Sequence, residues 1–358
     1  MNILSSSHKK ASAVSELAQL PSPLLAWYRQ NARTLPWRSD PTPYHVWLSE
    51  IMLQQTRVAA ALDYYQRFLE ALPTVAELAS CPEDRLMKLW QGLGYYSRAR
   101  NLQKAARIIM TEHGGVFPSS LEAIQALPGV GSYTAGAIAS IAFQQPVPAV
   151  DGNVLRVLSR LQNDRRDATS PARKREAATE IQKVIPGDAP GDFNQALMEL
   201  GALVCLPNGA PLCGLCPARG FCAGHQAGTA QDLPVKPPKK PRRVEERTVY
   251  LAFWQGCVAL RRRPKRGLLA GLWEYPNEPA PWDCPLAGSL RPAGQAKHVF
   301  SHIEWHMTGY LVQAAGPGLP EGWVWASLSQ LAAEYPLPSA FSGFQEVVEA
   351  ALLQGEFQ

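Results

Sequence analysis

From about Pro21 to Arg160 the apolar residues recur at helical spacing, and strand-like alternation is scarce. Trp47, Ile51, Val58, Leu62 and Tyr65 are separated by 4, 7, 4 and 3 residues, which sets one apolar stripe on a helical face. The same period runs through 74–91, 98–113, 119–126, 132–142, 152–163 and 171–204, so the first part of the chain is expected to be all-α. The texture then changes. QAGTAQDLPVKPPKKPRRVEERT, 226–248, carries four prolines and no apolar period, and reads as an extended linker. Beyond it TVYLAFW, GCVALRRR, KHVFSHIEWHMTGYLVQ and GWVWAS are rich in β-branched and aromatic residues and short enough for strands. Helical segments at 327–334 and 340–353 complete a smaller α+β domain. The predicted organisation is a flexible tail over 1–20, a helical domain over 21–225, a linker over 226–247 and a second domain over 248–358.

Composition sharpens this picture in three places. A chain of 358 residues is long for one core, which agrees with two domains. No apolar run approaches the roughly 18 residues of a membrane span, and MNILSSSHKK lacks the apolar core of a signal peptide, so the expected location is cytoplasmic, with no membrane partner. Seven cysteines, an odd number with four inside GALVCLPNGAPLCGLCPARGFC at 201–222, argue against a disulfide scaffold and for metal or cluster ligation. The scattered Cys81, Cys257 and Cys284 are expected to be buried thiols. A net charge of +5 permits nucleic acid as a partner without requiring it.

Three stretches carry candidate chemistry. LPGVGSYT, 127–134, joins two helical segments through Gly129 and Gly131; a turn of this kind aims unpaired N–H groups at an anion, although a glycine C-cap in an interhelical loop looks the same. Asp151, in VPAVDGNVLRVLSRL, stands where a helix begins and suits an N-cap bonded near Val154 as well as it suits a reactive carboxylate. Glu50, in SEIMLQQTRV, lies beside the apolar stripe, where either a solvated helix glutamate or a half-buried acid fits.

LPGVG followed by the small-residue helix AGAIASIA resembles the helix-hairpin-helix element of DNA repair glycosylases. With Asp151 eighteen residues after Tyr133 and with the cysteine stretch, it resembles the endonuclease III superfamily. NARTLPWR, SEIMLQQT and WQGLGYYSRARNLQ resemble motifs of MutY-type adenine DNA glycosylases, and GLLAGLWEYP resembles their Nudix-like C-terminal domain. The fold this implies is multidomain: an all-α helix-hairpin-helix glycosylase domain with an iron–sulfur cluster loop, plus an α+β Nudix-like domain. The resemblance makes Glu50 the general acid and base acting on adenine and Asp151 the stabiliser of the oxocarbenium-like sugar, with Tyr133 and Asn153 beside the sugar. Tyr133 stands where backbone-cutting relatives carry a lysine, which implies a monofunctional hydrolase.

By the same resemblance Arg33, Leu35, Trp37 and Arg38 line the pocket for the flipped base, Gln55 and Tyr95 enter the helix, and Gly129 and Gly131 meet phosphate. Phe300, Ser301 and His302 touch the 8-oxoguanine opposite the adenine. NEPAPWDCPLAG replaces the glutamate-rich run that a Nudix hydrolase uses to hold magnesium, so nucleotide hydrolysis is not expected. Cys205, Cys213, Cys216 and Cys222 give C-x7-C-x2-C-x5-C, one residue longer in the first loop than the family's C-x6-C-x2-C-x5-C, in a loop whose prolines and glycine can absorb it. The spacing alone suits zinc or iron; the resemblance implies a [4Fe-4S] cluster. The implied partner is double-stranded DNA with adenine opposite 8-oxoguanine or guanine, bound by a monomer at the nucleoid. Arg57, Arg98 and Arg100, and Arg219 in the cysteine loop, are candidates for the DNA backbone. A bifunctional glycosylase and lyase, or a non-catalytic DNA-binding protein with a structural metal, shares the hairpin and cysteines but not the whole set.

Overall fold

The computed structural model describes residues 17–238, 241–286 and 288–355. They fall into two compact units: the residues up to Gln55 with Lys104–Pro238, and Thr56–Gln103 with the C-terminal residues from the linker onward. The split does not follow the change of texture at 226–247. Helical residues 56–103 cluster with the C-terminal sheet, where Lys88 Nζ donates to Leu331 O at 2.7 Å and Arg262 pairs with Asp84 at 2.7 Å.

The first unit is helical. Pro21–Asn31, Pro36–Ser39, Pro43–Leu53, Pro171–Gln182 and Pro190–Leu203 each open on a proline, whose missing N–H is one the first turn leaves unpaired anyway. Leu121–Gln125, Ser132–Phe143 and Gly152–Leu161 complete the frame of the site, and Ser97–Glu112 is divided between the units. Leu24, Val154, Leu158, Phe193, Leu197 and Leu200 form the core. Leu17 and Leu20, assigned by the sequence to a flexible tail, are buried in that core, at 4% and 0% exposure; the rest of the expected tail, 1–16, lies outside the described residues. The Ser132–Phe143 helix is buried along nearly its whole length because its residues are small. A Cβ on Gly136 would meet the Pro148 carbonyl oxygen at 2.2 Å, and one on Gly201 would meet Asn153 Cβ at 2.6 Å. Backbones approach closely at both places.

The period overstated three helices. The stripe from Trp47 to Tyr65 is two helices, Pro43–Leu53 and Val58–Ala71, with a break at 54–57 that lets the apolar spacing continue across it. The 74–91 segment is Val75–Ser80 and Glu83–Leu89, and 171–204 is divided at 183–189.

In the second unit the strands are β1 (Arg243–Trp254), β2 (Cys257–Arg262), β3 (Trp273–Glu274), β4 (Asn277–Pro279), β5 (Gly288–Val299), β6 (Ile303–Ala314) and β7 (Trp323–Ser327). The order is β3-β2-β1-β6-β5, with β4 on β1 and β7 on β2; β1 and β6 are parallel and the other pairs antiparallel. Val249, Leu251 and Phe253 face the core under the Ser342–Leu353 helix, while Tyr250 and Ala252 face a second, smaller cluster. The expected linker is shorter than predicted. Ala223–Gln226 is helical, Ala230–Asp232 forms a 3-10 turn, and β1 begins at Arg243. Cys81 is buried as expected, whereas Cys257 and Cys284 are only half-buried. No helix among the described residues is long and apolar enough to cross a membrane.

Candidate active site

Thr42 caps the Pro43–Leu53 helix through a 3.3 Å bond from the His45 N–H, and this helix carries Glu50 inward to 8% exposure. The Ser132–Phe143 helix packs against it and presents Tyr133, whose hydroxyl donates to Glu50 Oε2 at 2.6 Å. Burial pushes the Glu50 carboxyl up to about 7; the Tyr133 bond and Arg38 oppose that rise, and the charge of Asp151 adds to it. The Tyr133 phenol is raised too, first by burial and then by the two carboxylates, so it remains a donor.

Asp151 is both of the things its position suggested. Its Oδ1 accepts the Val154 N–H at 2.8 Å as the N-cap of Gly152–Leu161, and its Oδ2 accepts Asn153 Nδ2 at 2.6 Å. Burial raises its carboxyl, against the bonds from Val154 and Asn153 and the charge of Arg156, all of which favour the ionised form. Asn153 is oriented in turn: Arg156 Nη2 donates to Asn153 Oδ1 at 2.9 Å and to Gly201 O at 2.7 Å. Arg156 Nε donates to Cys205 O at 2.8 Å. A continuous path of hydrogen bonds therefore joins Asp151 to the cysteine loop.

Cys205, Cys213, Cys216 and Cys222 line one pocket with Arg160 and His225. All four are free thiols. Arg160 Nη1 reaches Cys205 Sγ at 3.2 Å and Leu206 O at 2.9 Å. The first cysteine loop turns at Gly209, at φ +73°, and is closed by a bond from Leu212 N–H to Val204 O at 2.9 Å. Arg219 lines the same pocket, its Nε 3.2 Å from His225 Nε2.

Arg33 and Arg38 do not project freely toward a base. Both grip Glu199, which is 1% exposed: Arg33 through Nε at 2.7 Å and Nη2 at 2.8 Å, Arg38 through Nη2 at 2.8 Å. Burial alone would raise the Glu199 carboxyl, yet these bonds hold it down at about 2. Leu35 and Trp37 are buried beside them. Sequence reading missed Glu199, and Arg156 and Arg160 with it. The signals were a lone glutamate in the apolar run ALMELGALV and two arginines four apart in VLRVLSRL. Glu199→Gln is expected to cost about 3 kcal/mol in urea unfolding at pH 7, because it leaves two guanidinium groups without their carboxylate. With a depressed folded-state pKa, this contribution is complete above about 4.5 and fades as the pH falls toward 2, so the gap between the proteins should narrow in acid.

Gln55 and Tyr95, the two expected wedges, are both exposed and both in the left-handed region, at φ +60° and +47°. Gly129, at φ +78°, turns the chain into the Ser132–Phe143 helix; a Cβ on the following Gly131 would meet nothing within 4 Å, so a ligand can approach that helix end closely. Arg98 is a correction. It is 8% exposed, its Nη2 donates to Leu93 O at 3.0 Å and Gly94 O at 3.2 Å, and it lies over the rings of Trp90 and Tyr95, so it builds the turn under Tyr95 instead of meeting phosphate. Arg100 is paired with Glu83 at 2.7 Å, while Arg57 is exposed. Phe300, Ser301 and His302 form the β5–β6 turn, closed by Phe300 N–H to Ile303 O at 2.8 Å. Phe300 packs edge-on to Trp305, while Ser301 and His302 are exposed.

Residues 48–186 match the HhH-GPD superfamily of base excision DNA repair proteins, and 248–346 match the NUDIX domain. The chain is 39% identical to the adenine DNA glycosylase of Mus musculus, over 88% of this chain and 75% of that one, and 39% identical to that of Rattus norvegicus, over 82% and 70%. Among solved structures it resembles a thermostable thymine-DNA glycosylase, with a TM-score of 0.54 and 26% identity over 60% of this chain and 98% of the other.

Proposed function

Because this chain belongs to the MutY-type adenine DNA glycosylases, hydrolases of N-glycosyl bonds in base excision repair, we propose that it removes adenine opposite 8-oxoguanine or guanine with Glu50 as acid and Asp151 as counter-charge. The observation that carries this reading is a pair of carboxylates, Glu50 buried and Asp151 half-buried, set in unlike surroundings, one aided by a tyrosine and the other by a helix N-terminus. Adenine leaves badly as an anion. A carboxyl with a pKa near 7 is half protonated at neutral pH and can give its proton to N7 of the base. With Oε2 occupied by Tyr133, Oε1 is the oxygen that carries the proton. The electrons of the C1′–N9 bond depart with the base, and the positive charge left on the sugar faces Asp151, where burial raises the carboxyl and the N–H partners favour its anionic form. Glu50, now ionised, takes a proton from the water that attacks C1′. Tyr133 has no amine, so no Schiff base forms there and the strand is left intact.

Flipping the base needs a replacement in the stack, and the exposed, left-handed Gln55 and Tyr95 suit that task. The open N-terminus after Gly131 suits a phosphate. Ser301 and His302, at an exposed turn tip, suit the edge of the base opposite the adenine. Four free cysteines lining one pocket fit a [4Fe-4S] cluster, which would supply Fe–S bonds that tie residues 205–222 into one loop. The protein is read as a monomer on duplex DNA.

The test is a duplex with a single adenine opposite 8-oxoguanine. Strand cleavage is expected only after alkali, faster than with adenine opposite guanine, and with no adduct trapped by borohydride. Cleavage without alkali, or a trapped adduct, would move the protein to the bifunctional class.

A further inference from the structure

The Tyr133 hydroxyl has a second acceptor within reach. Besides Glu50 Oε2 at 2.6 Å, it lies 3.7 Å from Met198 Sδ, on the Pro190–Leu203 helix, and all three residues belong to one compact unit. A phenol carries a single proton, which can point fully at only one of the two. The carboxylate wins because a thioether is a weak acceptor. Met198 also stands apart from the chain's other methionines. Met52, Met87 and Met307 are buried, Met110 is exposed on the Ser97–Glu112 helix, and Met1 lies outside the described residues. Met198 is half-buried, next in sequence to the buried Glu199 and in contact with the hydroxyl that holds Glu50.

A half-buried thioether is open to a small oxidant, and its oxidation changes the competition for that proton. With hydrogen peroxide the sulfur lone pair attacks one peroxide oxygen, the O–O bond breaks, and the second oxygen leaves as water with both protons. The thioether is oxidised to a sulfoxide and the peroxide is reduced. The added oxygen carries partial negative charge and accepts far better than the sulfur it sits on. From a sulfur 3.7 Å away it comes within hydrogen-bond reach of the phenol. We propose that Met198 is an oxidation site that controls the acid: as a sulfoxide it draws the Tyr133 hydroxyl away from Glu50 and slows excision. This rests on the reading of Glu50 as the proton donor to adenine.

The experiment exposes the full chain to hydrogen peroxide and scores single-turnover adenine release, each variant against its own untreated rate, while peptide masses report the oxygen added at each methionine. Wild type is expected to slow by about ten- to hundredfold, the value of one hydrogen bond to a charged acceptor, in step with sulfoxide at Met198. Met110→Leu should slow equally. Met198→Leu, with no sulfur to oxidise there, should keep its own rate. Tyr133→Phe starts slower and should also keep its own rate, because no hydroxyl is left to divert; this separates diversion of the bond from crowding by the added oxygen. An unslowed wild type, equal slowing in Met198→Leu, further slowing in Tyr133→Phe, or a loss of rate without oxygen at Met198 would overturn the inference and leave Glu50 as the acid. A wild-type rate in untreated Glu50→Gln would remove the acid itself, and the inference with it.

Discussion

Glu50→Gln protein is expected to release adenine about 10³- to 10⁴-fold more slowly than wild type in single turnover while still binding mispaired DNA, because glutamine keeps the shape and loses the proton. The pH profile carries a second signature. The acid must be protonated, so the wild-type rate should fall as the pH rises through about 7, and that limb should be missing in the variant. Stability should fall with rising pH as well. A carboxyl whose folded-state pKa lies above its unfolded value binds more protons when folded, so it loses stability as the pH rises from about 4.5 to 7. By that shift Glu50→Gln should be more stable than wild type by about 3 kcal/mol at pH 8, and equal to it near pH 4. A variant that is slow and also less stable at pH 8 would contradict the account of Glu50 as a carboxyl held uncharged by burial.

Asp151→Asn separates the two functions of that residue. Asparagine caps helices as well as aspartate does, so Gly152–Leu161 should stay intact and unfolding should change by no more than about 1 kcal/mol, the value of one bond lost from Val154 or Asn153. The charge facing the sugar is gone, and the rate should drop by about 10²- to 10³-fold at every pH. Calorimetry beside single-turnover rates tests the pair of outcomes; a large loss of stability would mean that the carboxylate serves the fold first.

What was legible in the sequence follows from what each signal encodes. Glu50, Tyr133 and Asp151 stand in local motifs on helices, and the helical period alone suffices to turn them inward. Their meeting depends on close backbone contact at Gly136, which no period reports. Arg98 misled because a basic residue looks like solvent-facing charge until the turn that wraps its guanidinium is seen. Glu199 could be recognised as buried, but its arginine partners lie 166 and 161 residues away. The break at 54–57 was hidden because the apolar spacing stays in phase across it. Composition identified β1, β2, β6 and β7 but missed β3, β4 and most of β5, which is poor in β-branched and aromatic residues, and the parallel pairing of β1 with β6 is a long-range choice that alternation does not express.

The contact at Gly201 has one more implication. This residue offers no side chain, yet the space it leaves is filled by Asn153, which donates to Asp151, the carboxylate proposed to face the sugar. An inherited change there would be silent in any survey of chemical groups. It would act as a lever that displaces Asn153, and under the proposed roles the loss of activity would begin from a hydrogen atom replaced by a methyl group.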